Sequence, residues 1–308
     1  MNKNLLRTGI GLVVGGSLLV TSTVMGMAAS GTSGYDTLKV AVKNMKNIEN
    51  ATFSMSGTFS DNNKELAEAS FNFKASKEDI FSGEIALSSE KVNKSYALYQ
   101  SEDSIVFKDA ASDVYNKVEY SGELKAKGKK MRKYHSKEIQ NPQMEMLGEK
   151  ILDTLVGDLK KQVTQESIGN SEKKISIDLD KSEIPALVNL VLAAKSEKTR
   201  GQSCDKSEMM HEIFGVNPAD CKLPELKSNI QAEKIDVDIV VDKNNMIKEL
   251  DMEFDISGND SQNKFHEQEL KISMDVSDIN STKVDSIDLS GKEVKEISYK
   301  ELGCSTED

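Results

Sequence analysis

Tryptophan is absent from the 308-residue chain, aromatics make up only 5% of it, and there are three histidines, three cysteines and four prolines. Each shortage removes a class of function. Three cysteines are too few for a disulfide-dense miniature scaffold or for a Cys₄ zinc site. His135, His211 and His266 are scattered, and His211-Glu212 lacks the second histidine of an HExxH metal site. Without tryptophan, and with few other aromatics, there is no stacking platform for sugars or single strands. Positive charge is also in short supply. Forty Lys and Arg face fifty-one Asp and Glu, a net charge of −11, which is the opposite of a nucleic-acid footprint. There is no GxSxG elbow, P-loop, GxGxxG fingerprint or DxDxDG calcium loop. An enzyme, a cofactor and a bound metal are therefore all without residues to carry them, and the expectation is a non-catalytic protein.

What is present begins with an address. Residues 1–29 open with Lys3 and Arg7, and no charge follows from Thr8 to Tyr35. Leu12, Val13, Val14, Leu18, Leu19 and Val20 form the apolar centre, and Gly26-Met-Ala28 precedes Ala29 at small-x-small spacing. This is the pattern of a secretory signal peptide cut after Ala28 or Ala29. The alternative is an uncleaved anchor, weakened by its many Gly, Ser and Thr residues. In either case residues 30–308 are expected outside the cytoplasm as one exported domain of the cell envelope. In an oxidising compartment, Cys204 and Cys221, in one polar stretch, are expected to form a disulfide worth about 3 kcal/mol. Cys304 is left over.

The mature chain divides by period. In residues 35–119, a helix with Leu38, Val42, Met45 and Ile48 on one face precedes a meander of period two. Residues 120–143 are a polar connection with the one concentrated basic patch, Lys125, Lys127, Lys129, Lys130, Arg132 and Lys133. It reads either as a contact for phosphate head groups, wall polymer or an acidic envelope protein, or as a solvated surface. Residues 144–232 form a helical middle with the cysteine loop. There Leu147, Ile151, Leu155 and Leu159 make one stripe, KISIDLD is a short strand, and a second helix is expected from Ser182. Residues 233–297 return to alternation, and 298–308 are a tail. Asp236-x-Asp238 and Asp251-x-Glu253 place carboxylates on strand faces, but acids recur at nearly every outward position, as on a solvated sheet.

The order of signal peptide, amphipathic helix, antiparallel meander, middle helices and final meander resembles the LolA-like fold of bacterial lipoprotein carriers. It is similar also to the LppX- and LprG-type lipid-binding envelope proteins. Strand patterns such as IDVDIVVDKNNMIKELDMEFDISG carry the resemblance. It implies an α+β fold, a strongly curved antiparallel half-barrel wrapped around a few helices. It also implies a concave apolar face that binds a lipid, a lipoprotein or another hydrophobic ligand. Carried over to this sequence, that face is Phe53, Met55, Phe71, Phe73, Ile85, Leu87, Tyr96, Leu98, Val237, Ile239, Met252, Phe254, Ile272 and Met274. The same alternation also describes a filled core, and a filled core belongs to a surface, wall or extracytoplasmic sensor module with no small ligand. Two departures separate the chain from the anchored members: it has no lipobox cysteine, and the Cys204–Cys221 segment has the character of an insertion.

Overall fold

A computed structural model describes residues 33–45, 47–77, 80–119, 160, 162–169, 171–185, 188–189, 192 and 223–297. The leader, the basic patch at 125–133, Leu147 to Leu159, and Cys204, Cys221 and Cys304 lie outside the described residues.

The helix comes first. α1 (Ser33–Met45) buries Tyr35, Leu38, Ala41 and Val42, spaced so that they share one face. That face packs on the sheet at β7 (Val163–Ile168), β8 (Glu172–Asp180) and β10 (Ile247–Asn259). The approach is close at its start, where a Cβ on Gly34 would lie 2.7 Å from the Thr164 carbonyl. Near the helix end, the Asn44 side chain donates to the Asn244 carbonyl at 3.0 Å. Ile48 lies beyond the helix but still packs on the core.

Everything else described is dominated by one sheet of twelve strands. β1 (Asn50–Asp61), β2 (Lys64–Ser76), β3 (Phe81–Ser89), β4 (Asn93–Gln100), β5 (Ser104–Asp109) and β6 (Tyr115–Glu119) form the first meander. β7, β8, β9 (Ser228–Val241), β10 and β11 (Phe265–Ser277) form the second. The two join where β1 pairs antiparallel with β11, so the order runs β12-β6-β5-β4-β3-β2-β1-β11-β10-β9-β8-β7. The fold is α+β with an open, largely antiparallel sheet.

Asparagine sets the hairpins. Asn62 and Asn63 both take positive φ, 51° and 61°, as a two-residue hairpin of the first-primed type requires. The two hairpins of the second meander share one chemistry. Asp242 Oδ1 accepts from the Asn244 and Met246 backbone N–H groups, and Asp260 Oδ1 from those of Gln262 and Lys264. Asn245 and Asn263 take the left-handed position in each, at 54° and 62°.

Several expectations need correction. The short strand expected at KISIDLD is β8, but β7 and the start of β9 also fall inside the region 144–232 expected to be otherwise helical. β7 carries Thr164, Gln165, Glu166 and Ser167 and has almost no apolar alternation; pairing with β8 defines it as a strand. Ser182 lies in a turn, and helical residues appear only after Pro185, at Val188, Asn189 and Leu192. The sheet is also not wholly antiparallel. β12 (Val294–Glu296) pairs parallel with β6. After β11, residues 278–293 form a strap that crosses the sheet face opposite α1 to reach that far edge. Thr282 meets Thr52 at 2.9 Å, Asp285 pairs with Lys74 at 2.9 Å, and the Asp285 N–H donates to Ser82 Oγ at 2.9 Å.

Candidate ligand-binding face

Cross-strand partners in an antiparallel ladder share a face. The registers therefore place all fourteen residues expected to face a ligand on one side of the sheet, the side that α1 covers in part. One row joins Phe53, Phe73 and Leu98 through Gly83. The next joins Ile239, Leu250, Met274, Met55, Phe71, Ile85 and Tyr96. A third joins Val237, Met252 and Ile272 to Gly57, Ala69 and Leu87. A fourth joins Ile235, Phe254, Leu270 and Phe59.

Burial divides these residues. Met55, Phe71, Phe73, Ile85, Tyr96, Leu98, Val237, Ile239, Ile272 and Met274 are buried. Apart from the half-buried Phe53, the first two rows are packed core, with Phe71 on Phe73 at 5.8 Å and Phe73 edge-on to Phe81 at 6.1 Å. Phe53, Leu87, Met252 and Phe254 are only half-buried. So is the whole fourth row, Phe59, Leu270, Phe254 and Ile235. The more accessible apolar band therefore lies across the third and fourth rows. Phe59, Leu270 and Ile235 belong to it although the resemblance did not single them out. Their signal was the same alternation, and what the sequence lacked was the register that puts them side by side.

Beyond the band the same face turns polar on β1 and β11, while the row continues on β10 and β9 as Ile256 and Ala232. Asp61, Gln268 and His266 are 9%, 6% and 5% exposed. His266 Nδ1 lies 2.9 Å from both Asp61 oxygens, and Nε2 lies 3.4 Å from Asp260 Oδ2. Gln268 donates to the Pro224 carbonyl at 2.8 Å. The backbone N–H of Lys264, then that of Gln262 and the His266 ring, hold the Asp260 carboxyl below its ordinary value. No family model matches the chain, and no curated protein matches it.

The opposite face is an acidic lattice. Register sets Asp251 beside Asp238, Glu253 beside Asp236, and Asp255 beside Glu269. Lysines interleave: Lys174 reaches Asp238 at 2.9 Å, Lys234 reaches Glu253 at 2.9 Å, and Lys271 reaches Glu269 at 2.9 Å. Ser176 and Ser273 donate to Asp238 and Asp251, each at 2.5 Å. A groove of about 380 Å³ runs between Asp236, Asp238, Asp251, Glu253, Lys271 and Ser273 on one side and Ser56 and Thr58 on the other. The hydrogen bond from Lys234 holds Glu253 below its ordinary value. Asp255 is pushed up, first by burial and then by Glu253 and Glu269, and its Oδ1 is buried without a hydrogen-bond partner. The paired carboxylates expected on a solvated face are there, neutralised in part by lysine. Glu253, Asp255 and Glu269 each bring a carboxylate oxygen within 4.8 Å of the others.

Proposed function

We propose that the chain is an exported, non-catalytic cell-envelope protein that binds an acyl-chain lipid or the lipid part of a lipoprotein. The observation that supports this reading is the half-buried apolar band of Phe59, Leu270, Phe254, Ile235, Met252 and Leu87. It lies between a packed core and a polar rim. Methionine and phenylalanine suit such a surface, because their side chains adapt to flexible apolar partners. The leader-like residues 1–29 and the resemblance to the LolA-like carriers point the same way, with the sheet curved around the ligand.

The test is native mass spectrometry of the secreted mature protein, followed by organic extraction. A co-purifying acyl species is expected, and the delipidated protein is expected to take up a fluorescent fatty acid. A clean apo mass with no uptake would reject the reading. The second reading, an interaction or sensor module with a filled core, draws on the acidic face and the ten buried positions of the apolar face.

A further inference from the structure

On its inner side β11 reads Val276, Met274, Ile272, Leu270, Gln268, His266, four apolar residues followed by two polar ones. At about 3.4 Å per residue the apolar part spans roughly 20 Å. Exposure follows a related order. Val276, Met274 and Ile272 are buried, Leu270 and its row are half-buried, and Gln268 and His266 are buried polar groups held by specific partners. An apolar band that ends on a built polar row has the polarity of an amphiphile.

The polar row also has a sign. Asp61 from β1 and Asp260 from the β10–β11 turn flank the His266 ring from two sides. Two carboxylates and one imidazole give no net positive charge in any protonation state of the histidine. Of the lysines at this end, the Lys64 ammonium lies 3.7 Å from Glu90 and Lys227 pairs with Glu225 at 2.5 Å, while Lys264 is exposed in the turn, its backbone N–H donating to Asp260. An amide N–H of Gln268 is spent on Pro224. An anionic head group placed here would meet like charge in a poorly solvated site, at a steep desolvation cost. A hydroxyl or amine head would instead donate to carboxylate oxygens, a charge-assisted bond.

We propose that this end of the sheet anchors the ligand head and selects neutral, hydrogen-bond-donating heads over anionic ones. The inference rests on the acyl-binding reading above. It deepens that reading by fixing the ligand's orientation and head-group class.

The experiment compares two probes with the same tail, monopalmitoylglycerol and palmitate. Both are titrated calorimetrically at pH 7.5 into the delipidated mature protein. The neutral diol is expected to bind at least tenfold more tightly. In Asp61→Asn the ratio should fall below threefold, mainly because palmitate binds better. Because Asp61 is buried, the half-buried turn variant Asp260→Asn is measured alongside it. It should narrow the ratio in the same direction, and thermal melts report folding of both variants. Equal affinities in the wild-type protein, tighter palmitate, or an unchanged ratio in both folded variants would overturn the head-group inference and leave acyl binding standing. If neither probe binds, the acyl-binding reading fails and this inference fails with it.

Discussion

Gly83 stands opposite Phe73 in the β2–β3 ladder, and a Cβ there would lie 2.1 Å from the Asn72 carbonyl and 2.8 Å from the Phe73 ring. The backbone oxygen has no freedom to retreat, so Gly83→Ala forces the strands apart or displaces the ring from Phe71 and Phe81. A loss of about 3 kcal/mol is expected, seen as a drop in Tm of roughly 2–4 °C per kcal/mol. An unchanged melt would mean that the strands at this point are set more widely. Asp255 gives a prediction of opposite sign. Its folded pKa is raised, so its ionised form is disfavoured by folding, and the destabilisation is present above the folded pKa and lost as pH falls through it. Asp255→Asn should therefore raise Tm at neutral pH. The gain should shrink on acidification, and the two melts should converge below the ordinary value of 3.8. A gain independent of pH would trace to packing rather than charge.

Among the elements, legibility followed pattern strength. β9, β10 and β11 alternate almost without exception, so their faces were readable before pairing was known. α1 was equally clear from Leu38 and Val42. β7 was not legible, because TQES offers no apolar period and only its ladder to β8 makes it a strand. The strap and β12 lie inside the final alternating stretch, and nothing in its pattern marks a crossover. The strap contacts residues more than 200 positions away and β12 pairs with residues 179 positions away, and no local signal encodes such partners. The candidate site shows the same division. Fourteen residues were placed on one face by alternation, but which of them stay half-open depends on register and on what α1 covers. Ser82 is the element-scale test. It is 1% exposed, and its hydroxyl accepts from the Asp285 N–H of the strap. Ser82→Ala leaves that N–H unpaired at a cost of about 1–3 kcal/mol. Faster amide exchange is expected in the strap and in β6, whose outer edge β12 covers, while β9–β11 should be unaffected. Uniform acceleration across the sheet would mean that the strap is not a separate unit of stability.

For the whole molecule, the decisive asymmetry is charge. Across β1, β11, β10, β9 and β8 the outer rows hold Asp275, Glu249, Asp251, Asp238, Glu253, Asp236, Asp178, Glu269, Asp255 and Asp180. Only Lys174, Lys234 and Lys271 interleave with them. The three close lysine pairs are exposed enough to contribute little each. The remaining carboxylates repel one another within a few ångströms, on a chain that already carries −11. Salt acts on both effects. It weakens the attractive pairs, but it also screens the more numerous repulsions as the Debye length falls from about 30 Å at 0.01 M to about 10 Å at 0.1 M. The repulsive count is larger, so Tm should rise with sodium chloride over that range. Removing two facing acids, Asp236→Asn with Glu253→Gln, should flatten the slope. A Tm that falls with salt would assign the stability of this face to its lysine bridges, and the double variant would then melt lower at every ionic strength.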